Sequence, residues 1–212
     1  MKKLLNMNHL LLAFMLLPFC AACQSNGDST NEMKPPIDSG KVLIVYLSRT
    51  NNTEAVAKII HEQVGGTLVK LELVNPYPED YQEIVAQVDL ENETDFLPEL
   101  KTKVENINQY EMVFVGFPTW DMQLPPPMKS FLTQYDLSGK TIVPFNTNAG
   151  YGIGSSFDKV EELCPNSTVL EGFSTKGGIE RDGVLFVMEG EKEKEVQGNV
   201  REWLIKIGDK IK

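Results

Sequence analysis

Ser48-Arg49-Thr50-Asn51-Asn52-Thr53 is a dense run of hydroxyl and amide side chains set between two apolar segments. Before it lies an almost unbroken apolar run, KVLIVYL, from Lys41 to Leu47. After it Val56, Ile59, Ile60 and Val64 recur at the spacing of one helical stripe. A strand that enters a helix through such a loop aims the helix's unpaired N–H groups at one point, and that point attracts an anion, usually phosphate. Ser48, Thr50, Asn52 and Thr53 can add side-chain donors, and Arg49 is the one cation close by in sequence. Simple helix capping accounts for one such residue, whereas five of these six positions qualify. The loop lacks the glycines and lysine of a P-loop, which argues against nucleoside triphosphate hydrolysis.

Two further polar loops follow apolar runs of strand character. Pro118-Thr119-Trp120-Asp121 follows MVFVGF (112–117), and Asn146-Thr147-Asn148-Ala149-Gly150-Tyr151-Gly152 follows the run that begins at Thr141. Trp120 can stack on a planar group, and Tyr151 can cover its other side or an edge. Gly150 and Gly152 let the backbone approach closely. A phosphate cradle, a Trp loop and a Gly/Tyr loop together suit a flat aromatic group tethered to a phosphate, and flavin mononucleotide (FMN) meets all three demands. The plainer account of Trp120 is a partly buried structural aromatic, and of Tyr151 an ordinary loop residue.

The elements that must position these loops alternate. The apolar run 41–47 reads as a strand buried on both faces, and TLVKLEL (67–73) as a second strand near the sheet edge. NPYPED (75–80) is a proline-punctuated turn. Helical stripes then appear at Tyr81, Ile84, Val85 and Val88, and at Leu97, Leu100 and Val104, as one broken helix or two short ones. The acidic stretch between them, DLENETD, reads as a solvated face. MVFVGF is a third strand, and Pro125 to Pro127 open a helix marked by Met128, Phe131, Leu132 and Tyr135. The fourth strand, TIVPFN, contains Pro144, which predicts a bulge or an early loss of pairing. A helix follows with Ile153, Phe157, Val160 and Cys164 in register, then a fifth strand from Thr168 to Phe173. Residues 177–190 form an excursion with a possible short strand, GVLFVM, before a closing helix marked from Val196 to Ile211. Five β–α units imply a parallel sheet flanked on both faces by helices. Ligands of such sheets bind beyond the strands' carboxyl ends, where all three polar loops must lie.

The first 23 residues stand apart. Lys2 and Lys3, the uncharged run LLLAFMLLPF, and Ala21-Ala22-Cys23 follow the order of an export signal, too short to span a bilayer comfortably. A cysteine after two small residues resembles a bacterial lipobox with Cys23 lipidated, although Cys20 occupies the usual leucine position. A cleaved signal releasing a soluble protein is the simpler alternative. Residues 24–40, rich in Ser, Asn, Asp, Gly and Pro, read as a flexible tether, leaving 41–212 as the domain. Cys164 would then be the remaining cysteine, a small core residue rather than a nucleophile. His61 has no metal-ligand partner at useful spacing and reads as a surface residue. Loss of residues 1–23 removes two lysines and no acids, taking the net charge from −10 to −12. That balance argues against nucleic acid as a partner.

YLSRTNNTEAVA, NPYPEDYQEI, FVGFPTW, LPPPMKSFL and PFNTNAGYGIGSSF together make residues 41–212 similar to the flavodoxin family, in particular to flavodoxin-like bacterial lipoproteins. The resemblance implies an α/β three-layer αβα sandwich with a five-stranded parallel sheet in the order 2-1-3-4-5. It also implies FMN at the switch point between the first and third strands. Ser48, Thr50, Asn51, Asn52 and Thr53 would hold the phosphate, Pro118 to Asp121 would line the isoalloxazine, and Asn146 to Gly152 would stand opposite. Arg49 would face either the phosphate or solvent. Asn51 stands where the family usually has glycine, and Asn is the side chain that best tolerates left-handed backbone.

Three functions remain open at this level. An electron carrier would need no catalytic side chain, the protein tuning the flavin by stacking, hydrogen bonds and nearby charge. An FMN-dependent NAD(P)H:quinone-type reductase would need an uncovered ring, and nicotinamide is scarce outside the cytoplasm. An exported binding module would hold another phosphate ligand or none. The redox partner, a protein or a small electron acceptor, is not named by the sequence.

Overall fold

The computed structural model describes residues 38–208. The expected export signal, Cys23, the tether as far as Ile37, and Ile211 lie outside the described residues. The Asp38 carboxylate accepts the Gly40 N–H at the start of a short 3-10 turn over Ser39–Lys41.

The elements run β1 (Val42–Tyr46), α1 (Asn52–Val64), β2 (Thr67–Lys70), α2 (Tyr81–Glu93), β3 (Met112–Pro118), α3 (Pro126–Gln134), β4 (Thr141–Asn148), α4 (Ser156–Leu163), β5 (Thr168–Val169), β6 (Phe173–Lys176) and α5 (Gly190–Gly208). The sheet is parallel with the order β2-β1-β3-β4-β5, and β6 adds a sixth strand against β4. β1 is buried at every position and lies between β2 and β3, whereas β2 is partly exposed at the edge. This is the fold class expected from the alternating pattern.

Strand side chains alternate between two cores. Leu43, Val45, Val113, Val115 and Phe117 pack with Met128 and Phe131 of α3 and Val160 of α4. Val42, Ile44, Phe114, Val143 and Phe145 pack with Val56 and Ile60 of α1 and with Val196, Val200, Trp203 and Ile207 of α5. Helices therefore cover both faces. Gly116 makes one close approach possible, because a Cβ there would lie 2.0 Å from the Phe145 ring.

Four expectations are corrected. The stripe Leu97-Leu100-Val104 is not helical: Leu100 forms an antiparallel bridge with Leu73, and the Lys101 N–H donates to the Glu72 carbonyl (2.8 Å). Pro98 opposes a helix there by excluding its own N–H and by driving Leu97 towards extended backbone. The acidic stretch is not wholly solvated, since Glu91 is buried with the Tyr77 hydroxyl and the Gln87 amide donating to its carboxylate. The expected fifth strand is split into β5 and β6, which pair with Thr141–Ile142 and with Phe145–Asn148 of β4. GVLFVM forms no strand; Val184 makes a single bridge with Ile179.

Pro144 explains the split. β4 pairs with β3 without interruption through Val115↔Pro144, so no bulge forms. On its other side the ladder stops between Ile142 and Phe145, where a proline has no N–H to give. Gly172 packs over the gap, with a Cβ there falling 2.9 Å from Pro144 Cγ.

Candidate functional site

The β1–α1 loop turns on Asn51, whose φ of +63° places it in the left-handed region. The departure from glycine is thus absorbed by the residue type best suited to it. The first-turn amides of α1 have no carbonyl four residues back within the helix. One of them, that of Glu54, donates to Ser48 Oγ (3.2 Å), and the helical ladder starts with the Ala55 N–H to the Asn51 carbonyl (2.9 Å). Ser48 therefore caps α1. Thr53 Oγ1 lies 2.8 Å from Thr147 Oγ1, tying the start of α1 to the end of β4.

Two side chains of this loop are engaged elsewhere. Arg49 donates from Nε to Glu180 (2.6 Å), from Nη1 to the Pro78 carbonyl (2.8 Å) and from Nη2 to the Glu79 carbonyl (2.5 Å). Asn52 is buried, donates from Nδ2 to Thr50 Oγ1 (2.8 Å) and the Leu185 carbonyl (2.6 Å), and accepts the Val187 N–H (3.1 Å).

The loop after β3 is fixed from below and behind. Asn146, fully buried, donates to the Phe117 carbonyl (3.1 Å) and Thr119 Oγ1 (3.0 Å), while Thr119 Oγ1 donates to the Gly152 carbonyl (3.0 Å). Trp120 meets Tyr77 edge to face at 5.4 Å and 88°. Burial, reinforced by the Glu91 carboxylate that its hydroxyl meets, drives the Tyr77 phenol far above its ordinary range. Asp121 and Met122 both adopt positive φ (47° and 53°) in a tight reversal closed by the Gln123 N–H to the Trp120 carbonyl (2.8 Å). The Ser155 N–H holds the Met122 carbonyl at 2.9 Å.

The loop after β4 is wound around one side chain. Asn148 Oδ1 accepts the N–H groups of Gly150 (2.8 Å) and Gly152 (3.2 Å), with φ of +100° and +91° at those glycines. Tyr151 stands at the rim, 67% exposed, and its hydroxyl accepts from Arg181 Nη2 (3.4 Å).

These three loops meet at one open cleft of about 420 Å³, a volume suited to a single small ligand. Arg49, Thr50, Asn52, Thr53, Pro118, Thr119, Trp120, Asp121, Thr147, Asn148, Ala149, Tyr151 and Gly152 line it. Ser48, Asn51, Asn146 and Gly150 do not; they cap, turn or buttress the loops that do. Two stretches of wall were not anticipated: Tyr81, Ile84, Val85, Val88 and Asp89 of α2, and Gly177 to Arg181 beyond β6. Gly177-Gly178 is a further glycine-bearing loop at a strand's carboxyl end, so the reasoning applied to the other three loops could have found it. Nothing in the ordinary amphipathic pattern of α2 marks it as a wall.

Cys164, at the C-cap of α4, is buried, and burial pushes its thiol up to about 11, which leaves it inert at neutral pH. His61 Nε2 lies 3.1 Å from the Gly66 carbonyl and is partly buried. Among the described residues no cluster of His, Cys, Asp or Glu could hold a metal ion.

A parallel sheet in this order, with a cleft beyond the carboxyl ends of β1, β3 and β4, defines a doubly wound α/β protein built to bind a ligand at its switch point. The flavodoxin family model matches residues 41–189, and the chain belongs to the flavodoxin family. A flavodoxin of Nostoc sp. is 24% identical over 152 residues, covering 70% of this chain and 75% of that protein. Among solved structures, a Bacteroides eggerthii protein assigned as a flavoprotein is 33% identical, with a TM-score of 0.59 over 63% of this chain and 87% of its own. A Lactobacillus acidophilus flavoprotein in complex with FMN is 20% identical, with a TM-score of 0.57 over 68% of this chain and 98% of its own.

Proposed function

We propose that the cleft seats FMN and that the protein transfers electrons through the bound flavin. The carrying observation is convergence: loops at the ends of three separate strands, a helix N-terminus and an indole line one cleft. The donor chemistry fits the cofactor. First-turn amides of α1 and the Thr50 and Thr53 hydroxyls suit the anionic tail, and Trp120, set edge-on against Tyr77, offers a braced aromatic surface to the ring. The left-handed glycines allow backbone groups of the 148–152 loop to approach the ring edge. FMN supplies one- and two-electron redox chemistry when bound. The chain's part is to bind it, restrict water at one face and set the surrounding charge. A net charge of −10 over the whole chain opposes added negative charge on the flavin and favours a low potential.

Titration of the purified protein with FMN tests this reading. Flavin fluorescence is expected to be quenched to a stoichiometry of one, with a shifted visible spectrum; free-flavin fluorescence at every ratio would defeat it. An NAD(P)H:quinone-type reductase is the second reading, motivated by Tyr151, which stands exposed at the rim rather than buried over the cleft. Turnover of NAD(P)H by flavin-loaded protein separates the two, because a carrier shows none without a reductase.

The leader supports a location. Residues 1–23 act as an export signal, Cys23 carries lipid, and residues 24–40 tether the flavodoxin-like domain to the outer side of a membrane. There it meets a redox partner, a protein or a small acceptor, and no nucleic acid. Cys23→Ser is expected to shift the protein from the membrane to the soluble fraction; unchanged membrane retention would count against the anchor.

A further inference from the structure

The FMN seat accounts for the backbone of the β1–α1 loop, but not for its two most heavily bonded side chains. Arg49 reaches across 131 residues to Glu180 and across 29 and 30 residues to the carbonyls of Pro78 and Glu79. Arg49 and Glu180 are each about one-fifth exposed, so this ion pair is shielded more than a surface pair. Asn52 meanwhile grips the 185–187 backbone at two points, as an acceptor and as a donor.

What they grip has few other ties to the cleft: the Gly177 N–H to the Asn148 carbonyl (2.8 Å) and Arg181 Nη2 to the Tyr151 hydroxyl (3.4 Å). Beyond β6 the chain makes a 3-10 turn at Glu180–Asp182 and one bridge, Ile179↔Val184, before α5 begins. Val184, Leu185 and Phe186 are 44%, 52% and 41% exposed, so burial contributes little to fixing them. Yet Gly177 to Arg181 form one wall of the cleft, and Tyr81, just beyond the turn that Arg49 binds, begins another.

Building on the FMN reading, we infer that Arg49 and Asn52 are positioning residues. They staple the 177–187 segment and the 78–80 turn around the cleft, and Arg49 does not serve as the cation for the ligand's anionic tail. The guanidinium's planar fork suits this task, presenting donors in fixed directions to a carboxylate and two carbonyls. Lysine's ammonium is a single point donor without that fixed fork, so it cannot span all three acceptors in the same geometry.

The experiment pairs two ligands with a local probe. Dissociation constants for FMN and riboflavin, which lacks the phosphate, are measured for the unmutated protein and for Arg49→Met, Arg49→Lys and Glu180→Gln. Amide hydrogen exchange is followed over 177–187 in the same proteins and in Asn52→Ala. Arg49→Met is expected to weaken both flavins by the same factor, about tenfold, leaving their ratio unchanged. It should also speed exchange over 177–187 while β3 and β4 stay protected. Glu180→Gln should act in the same direction but less, and Arg49→Lys should recover only part of the loss. A loss confined to FMN, with exchange over 177–187 as in the unmutated protein, would overturn the inference. If the unmutated protein quenched neither flavin, the FMN reading alone would fall, and the exchange data would still decide whether Arg49 and Asn52 hold the segment.

Discussion

Two walls of the same cleft are built in opposite ways. The 118–121 and 146–152 loops hang from the ends of β3 and β4, two strands paired to each other without interruption, and are cross-braced by the buried Asn146 and by Thr119. The 177–187 segment follows the four-residue strand β6, exposes three large apolar side chains in a row, and is held mainly by side chains from across the cleft. The first wall inherits its position from the sheet, whereas the second must be tied in place. Rigidity at a binding site can come from the scaffold or from a few long-range bonds, and the two should fail differently.

The largest expected effect breaks the first wall. At Gly154 a Cβ would lie 1.9 Å from the Met122 carbonyl oxygen, and φ is +56°. Neither backbone can yield easily, because Ser155 pins that same carbonyl. Gly154→Ala is expected to cost about 3 kcal/mol through strain and displaced backbone, read as a lowered urea midpoint, with flavin affinity lost as the Trp120 loop shifts. Gly178→Ala is the matched change in the second wall, where a Cβ would lie 2.3 Å from the Leu185 carbonyl oxygen. Here the 184–186 tip is exposed and can swing outward once Asn52 Nδ2 releases the Leu185 carbonyl, so the expected cost is about 1 kcal/mol, with faster exchange confined to the segment. Equal global costs at the two glycines would erase the distinction between the walls.

The same distinction governs what was legible in the sequence. Runs such as KVLIVYL and MVFVGF announce central parallel strands, because burial on both faces demands apolar residues at consecutive positions. The polar loops they feed were visible because their composition is unusual for a connection. Asn51 even disclosed its left-handed backbone. By contrast, Leu97, Leu100 and Val104 imitate a helical stripe, and only Pro98 and the pairing of Leu100 with Leu73 decide otherwise. GVLFVM has strand composition, but Asn52 takes the backbone groups of Leu185 and Val187 that a ladder would use. Arg49 was left between the phosphate and solvent, because sequence shows its neighbours and not the acceptors at Pro78, Glu79 and Glu180. Long-range bonds of this kind leave no local pattern.

Within the first wall, support from behind should matter more to stability than the surface presented to the ligand. Tyr77→Phe removes the hydroxyl that meets Glu91 and leaves that buried carboxylate with Gln87 as its remaining side-chain donor. A loss of about 2 kcal/mol in unfolding free energy is expected. Trp120→Ala should instead act mainly on binding, weakening flavin affinity about tenfold through the lost aromatic contact, with Trp120→Phe close to the unmutated protein. A Trp120→Ala protein that bound flavin normally would show that the indole is only Tyr77's packing partner.

The last case is a control at Cys164, which is not among the residues lining the cleft. Cys164 is 4% exposed, and burial alone raises its thiol from 9.0 to about 11. A raised folded pKa means the neutral form is favoured in the folded state. The associated stability is fully present below pH 9 and is lost as pH rises towards 11, because the unfolded chain ionises first. Between pH 8 and pH 10 the unfolding free energy should fall by about 1 kcal/mol on this account. The relevant measurement is the difference between the protein and its Cys164→Ala variant, with denaturant midpoints taken at each pH. The gap should narrow or reverse as pH rises, while flavin affinity at pH 7 stays the same in both. A gap independent of pH would mean that solvent reaches the thiol in the folded protein.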